Sequence, residues 1–198
     1  MITIGQAPRT DITRDILPLL PDYMTLTEYG ALDDMTYEEV MSQFAPSEDD
    51  EVLVSRMRDG RQAKFTERFI RPLVQQKIDQ AEAEGVSAII LFCTGVFPEF
   101  RHQVLFIEPQ PLFHAIAAKL AGNQKSGISI EATSASPYLE FDKIVQAASF
   151  FKDKDLAFIC TDCMGFTMEM KHRIQEITGL PVLLPRTLVV RILCEMFS

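Results

Sequence analysis

Ala88-Ile89-Ile90-Leu91-Phe92-Cys93-Thr94-Gly95-Val96-Phe97 and Ala157-Phe158-Ile159-Cys160-Thr161-Asp162-Cys163-Met164-Gly165-Phe166 spell nearly the same thing. Each is a short apolar run that delivers a cysteine, one residue and then a glycine. Runs of this length bounded by turn residues read as buried strands. A strand ending in Cys-x-Gly, written twice, predicts two similar half-sites. If the halves face one another, Cys93 and Cys163 flank one small molecule.

Working outward, Ile2-Thr3-Ile4-Gly5 predicts a strand closed by glycine, and Gln6 to Asp11 a loop that feeds a helix near Asp11 to Leu20. Met24 to Tyr29 reads as a second strand, and Thr36-Tyr37-Glu38-Glu39 as a helix start with a capping box. Between Glu51 and Lys64 the chain predicts a hairpin, with Asp59-Gly60 as its two-residue turn. Phe65 to Glu84 is helical in pattern, with Phe69, Leu73 and Ile78 on its apolar stripe and Gly85 as its stop. Helices follow at Pro109 to Leu120, Tyr138 to Phe151, Thr167 to Ile177 and Thr187 to Phe197, the last with Leu188, Ile192 and Met196 as its apolar face. Strands are expected at Gly127 to Ala132, Leu156 to Cys160 and Pro181 to Leu184. Strands alternating with helices at this spacing predict an α/β protein with largely parallel sheets. In open sheets of that kind sites lie beyond the carboxyl ends of strands, where Cys93 and Cys163 fall.

Composition narrows the function. At 198 residues with 47% apolar content the chain can bury a full core, and no low-complexity tract or membrane-length apolar run interrupts it. The start lacks the plan of a signal peptide, so the expected location is the cytoplasm. A net charge of −9, with no dense cluster among its 19 Lys and Arg residues, argues against a nucleic-acid partner. A small carboxylate ligand is compatible with that charge, because one well-placed arginine can receive it.

The four cysteines are expected as free thiols. A thiol with an ordinary pKa of about 8.5 becomes a useful base where amide donors favour the thiolate. One thiolate removing a proton from carbon, with the opposite thiol returning one on the other face, gives stereoinversion without a cofactor. Gly95 and Gly165 let the backbone turn close to a ligand, and the amides of Thr94, Gly95, Met164 and Gly165 are the expected donors to its carboxylate or developing enolate. Gln6, Arg9 and Thr10 lie on the loop after the first strand, where a carboxylate is received; the alternative for Arg9 is a surface arginine. Arg186 is a weaker candidate on the same logic. Cys160 and Cys194 read as core. Cys160-Thr161-Asp162-Cys163 has a CxxC spacing, but His102, His114 and His172 stand at no matching spacing, so no metal is expected.

With these residues assembled, the chain resembles the AroM family, within the broader aspartate/glutamate racemase superfamily. The segments that carry the resemblance are Thr3 to Asp11, Gly30-Ala31-Leu32-Asp33, Arg58-Asp59-Gly60, Cys93-Thr94-Gly95, Phe97-Pro98, Glu108-Pro109, Ala135 to Tyr138, Asp162 to Thr167 and Pro181 to Leu184. It implies two racemase-like α/β lobes with an inter-lobe cleft: residues 1–104 with 186–198 as the first, and residues 105–185 as a second. The second is shortened: Ser126 to Tyr138 resembles its second strand, and the strand-helix unit before that is absent. The paired cysteines of racemases act as base and acid, a role that carries over to Cys93 and Cys163. Those racemases have Asn-Thr after the first cysteine and Thr-His after the second, where this chain has Thr94-Gly95 and Met164-Gly165, so amino-acid specificity does not carry over. The function implied is a racemase or epimerase acting on a small carboxylate. A non-catalytic binding or regulatory module, and a lyase or decarboxylase using a single cysteine, are the alternatives. The thinness of the second lobe favours a homodimer.

Overall fold

The computed structural model describes residues 1–47, 50, 52–122, 129–139 and 141–198. Among them are seven α-helices and eight short strands, a mixed α/β arrangement in which three of the four strand pairs are parallel. No described helix is long and apolar enough to cross a membrane. The chain divides into two compact units, one of Met1–Thr10 with Asp22–Pro109, the other of Asp11–Pro21 with Gln110–Ser198.

In the first unit β1 (Ile2–Thr3) pairs in parallel with β2 (Tyr29–Gly30), and β5 (Ala88–Ile90) with β6 (Leu105–Ile107). A parallel bridge from Ile2 to Leu91 joins the two pairs, which gives the order β2-β1-β5-β6. Ile2, Ile89 and Ile90 are buried, as strands covered on both faces require. The run before Tyr29 does alternate, with Thr25 and Thr27 exposed and Met24 and Leu26 half-buried, but only Tyr29 and Gly30 find ladder partners.

The hairpin is antiparallel, β3 (Val52–Arg56) against β4 (Gln62–Thr66), and Glu51 lies outside the described residues. Its turn is one residue longer than expected. Gly60 N donates to Met57 O at 2.9 Å, Met57 N donates to Arg61 O at 2.8 Å, and Gly60 takes φ +90°. That is a three-residue connection whose left-handed position suits glycine. Alternation sends Leu53, Ser55, Ala63 and Phe65 inward.

Thr36 caps α2 (Tyr37–Gln43) with the expected box. On α3 (Glu67–Ala83) the buried residues are Ile70, Val74, Ile78 and Ala81, so Ile78 faces inward as expected while Ile70 and Val74 take the place of Phe69 and Leu73. Phe69 instead stacks on Phe44 at 5.5 Å between ring centroids. Each large aliphatic side chain buried on that face contributes roughly 1.5–3 kcal/mol. Gly85, at φ +81°, follows the helix and lets the chain reverse.

The second unit begins with α1 (Thr10–Ile16), continued by a 3-10 turn at Leu17–Leu19. It goes on through α4 (Pro109–Ala121), α5 (Phe141–Ser149), β7 (Ile159–Cys160), α6 (Met168–Thr178), β8 (Val182–Leu183) and α7 (Pro185–Phe197). Strands β7 and β8 are parallel, Ile159 opposite Val182 and Cys160 opposite Leu183. Ile144, Ala148, Ile159, Met170, Ile174 and Val182 form one core. Thr167 caps α6, and Gly179 closes it at φ +69°. Of the strand expected at Gly127 to Ala132, Gly127 and Ile128 lie outside the described residues, as do Ser126 and Glu140, and Ser129 to Ala132 form no ladder.

The inward face of α7 is also rotated from expectation. Arg186, Val189 and Val190 are buried, whereas Met196 is 57% exposed. This helix groups with the second unit, where the sequence reading puts it with the first. Arg186, fully buried, is bonded to α1 and to Met164, which belong to that same unit.

Candidate functional site

In the first unit Leu91 N donates to Ile107 O and Phe92 N to Ile2 O at 2.7 Å, which completes the ladder. The chain then folds back on itself. Cys93 N donates to Leu91 O at 2.8 Å, and Gly95 N donates to the Cys93 Sγ at 3.2 Å. Cys93 is half-buried against the core, with Thr94 half-buried beside it. A Cβ on Gly95 would stand 2.7 Å from Leu53 Cδ2 and 3.3 Å from the Cys93 sulfur, so glycine keeps the turn this tight.

The second unit repeats the construction. Thr161 N donates to Leu183 O at 3.2 Å as the ladder ends, Cys163 N donates to Thr161 O at 3.0 Å, and Gly165 N donates to the Cys163 Sγ at 3.4 Å. An amide donor aimed at sulfur stabilises the thiolate over the thiol. The same device therefore stands at both cysteines.

The two turns have different walls. A Cβ on Gly165 would meet Pro137 Cγ and Tyr138 Cζ, both at 2.6 Å, so two rings lie directly against its backbone. The Cys163 thiol donates to the Tyr138 hydroxyl oxygen at 4.0 Å. Met164 is buried, and its carbonyl accepts from Arg186 Nε at 2.9 Å and Nη2 at 2.6 Å. Arg186 Nη1 donates to Asp11 O at 2.9 Å and to Asp15 Oδ2 at 2.8 Å. Burial pulls this guanidinium below the usual arginine range, with Asp15 and Asp11 opposing the effect. Arg186 therefore faces inward and holds the cysteine turn; it is not placed as an open receiver of a carboxylate.

Cys160 is exposed and so is not core, because alternation along β7 turns Ile159 inward and Cys160 outward. Packing close around its sulfur, reinforced by the charge of Asp162, pushes the thiol up to about 11, and it stays protonated at neutral pH. Cys194 is half-buried, its thiol donating to Leu19 O at 3.5 Å. Asp162 Oδ2 pairs with His114 Nε2 at 2.8 Å, and His114 Nδ1 lies 3.1 Å from Gln110 Nε2. Sequence reasoning passed over His114 and Tyr138 as site residues. The one available signal was Ala135-Ser136-Pro137-Tyr138, quoted as a family segment with no chemistry attached.

On the N-terminal loop both ends of the Gln6 amide are engaged. Nε2 donates to Leu32 O at 3.0 Å and Met35 O at 2.7 Å, while Oε1 accepts from Arg58 N at 2.7 Å. Arg9 is 4% exposed, which removes the surface alternative. Its backbone amide donates to Glu28 Oε2 at 2.7 Å, and its guanidinium donates to Ser55 Oγ at 3.3 Å and Thr3 Oγ1 at 3.4 Å. Thr10 is exposed at the start of α1. An open pocket of about 630 Å³ lies between residues 33–38 and the hairpin tip, with Gln6 at its wall but neither Arg9 nor Thr10; there Arg58 pairs with Asp33 and Arg61 with Glu38 and Asp59. At the carboxyl end of β6 stands Glu108, from the family segment Glu108-Pro109; burial pushes its carboxyl above the usual range, with His102 partly opposing.

A family model described as AroM protein matches residues 1–130 and 124–197. No curated protein and no solved structure matches the chain. The match spans nearly the whole sequence and takes in both cysteine turns: the chain belongs to the AroM family.

Proposed function

We propose that this protein is a cofactor-independent isomerase, a racemase or epimerase of a small carboxylate, with Cys93 and Cys163 as its acid and base. The observation that carries the reading is the repeated turn, in which a glycine amide donates to the cysteine sulfur at 3.2 Å in one unit and 3.4 Å in the other. In the proposed reaction one thiolate takes the proton on the carbon next to the carboxylate, and the C–H electron pair moves into the carboxylate as an enediolate. The other thiol then delivers its proton to the opposite face, so the two sulfurs exchange protonation states in each turnover. The resemblance to cysteine-pair racemases supports the same assignment. Gln6, Arg9, Thr10, Thr94, Gly95, Met164 and Gly165 are the proposed binding residues, Gln6 by shaping the loop through its three bonds.

The test is proton exchange. Candidate 2-substituted carboxylates are incubated with the protein in deuterated water and followed by NMR. Cys93→Ala and Cys163→Ala each lower the exchange rate by roughly 10²–10⁴-fold, the usual worth of a positioned acid or base. No exchange with any acid, or exchange that both substitutions leave unchanged, overturns the proposal. The unequal walls of the turns, Leu53 and Phe97 at Gly95 but Pro137 and Tyr138 at Gly165, favour a second reading in which one thiol acts alone in a lyase or decarboxylase. Carbon dioxide release lost in only one of the two variants is its signature.

A further inference from the structure

We propose that Tyr138 is a positioning residue that holds Cys163 in the thiolate form. This deepens the acid/base reading, on which its catalytic meaning rests, by naming Cys163 as the thiol that is charged at rest. In the protonated state the thiol donates to the phenol oxygen at 4.0 Å. Once the sulfur is ionised it can only accept, and the contact reverses: the phenol O–H donates to S⁻. Tyr138 then joins the Gly165 amide, at 3.4 Å, as a donor to the sulfur.

Tyr138 is held there by backbone and packing together. Its amide donates to Ser136 Oγ at 3.3 Å, and Leu139 N donates to Ser136 O at 3.4 Å, which ties residues 136–139 into a turn. The ring lies against Gly165, which has no Cβ to displace it. Met164, between the cysteine and that glycine, is fixed by Arg186. The arrangement is a tyrosine clamped over a glycine so that its hydroxyl reaches the neighbouring sulfur.

Charged groups stand near this turn on several elements. Asp162 precedes Cys163 and disfavours a second negative charge, and its partner His114 on α4 relieves that only when protonated. Arg186 on α7 is positive but is matched by Asp15, with Asp11 also near, on α1. Cys160 on β7 stays neutral.

The experiment is alkylation of the intact protein by iodoacetamide across pH, with the modification of each cysteine read by mass spectrometry. Tyr138→Phe keeps the ring and removes the donor. The Cys163 midpoint rises by about one pH unit, the effect of losing one hydrogen bond to the charged form, while the Cys93 midpoint stays in place. Uniform replacement of tyrosine by 3-fluorotyrosine, whose phenol is the stronger donor, lowers the Cys163 midpoint relative to Cys93, and it decides the matter if Tyr138→Phe does not fold. A Cys163 midpoint that does not move, or moves in step with Cys93, overturns the inference. Alkylation needs no substrate, so failure to find turnover and failure of this inference are separate results.

Discussion

Replacing Arg186 with methionine tests what holds the second cysteine turn. The side chain is fully buried and makes four short bonds, two to Met164 O, one to Asp11 O and one to Asp15 Oδ2, at 2.6–2.9 Å. Methionine fills much of the volume and offers no donor. Two carbonyls lose partners, and the Asp15 side chain, 10% exposed, keeps the Met168 amide on its Oδ2 and the solvent-facing Arg14 Nε at 4.0 Å from its Oδ1. Removing one member of a buried ion pair typically costs about 3–5 kcal/mol. For a chain of this size that corresponds to a fall of roughly 6–20 °C in Tm. Urea unfolding followed by circular dichroism measures the loss. Arg186→Lys recovers little, since one ammonium cannot serve three acceptors that a planar guanidinium spans. Asp15→Asn in the Arg186→Met background removes the stranded charge and keeps an acceptor for Met168. The double variant is therefore more stable than the sum of the single losses by about 1–2 kcal/mol. A loss below about 1 kcal/mol for Arg186→Met would refute the reasoning, because it would mean that the guanidinium's desolvation cancels what its bonds contribute.

Two further outcomes follow from local geometry. Gly165→Ala destabilises by about 1–3 kcal/mol, the usual cost of overpacking, because the new Cβ meets two ring atoms at 2.6 Å; Gly95→Ala costs less, since its nearest neighbour is a leucine methyl that can rotate away. Comparing the two melting curves checks the order. Tyr29 donates to Glu84 Oε2 at 2.8 Å, and burial, aided by that carboxylate, pushes the phenol up to about 12. The folded pKa stands above the unfolded value near 10, so the neutral phenol contributes stability that is fully present below pH 10 and is lost as pH rises to 12. Stability measured across that window should fall, with the fall reduced in Tyr29→Phe.

What the sequence made legible was mostly local. Thr36 and Glu39 cap a helix as their spacing predicts, Gly179 ends one, and the two Cys-x-Gly runs do take the same turn. Each of these is decided by residues within a few positions of one another. Asp59-Gly60 shows the boundary of that success: the turn was right, but its length follows from the pairing of Met57 with Arg61. Helix faces were read less well. On α3 two apolar columns share the helical period, and only packing chooses Ile70 and Val74 over Phe69 and Leu73. Arg186 was illegible in principle. Nothing within ten residues of it explains a buried guanidinium, whose partners Asp11 and Asp15 lie 175 and 171 positions away.

That long span has a consequence for how the protein is made. Helix α1 leaves the ribosome well before the rest of its unit, which is otherwise built from residues after Pro109. At usual elongation rates the interval between Asp15 and Arg186 is about 10–30 s. Through that time Asp15 lacks the buried guanidinium it pairs with, and the first unit can form while the segment waits. Closure of the second unit is thus tied to the arrival of one arginine, which makes the nascent chain, rather than the finished protein, the state most exposed to wrong partners.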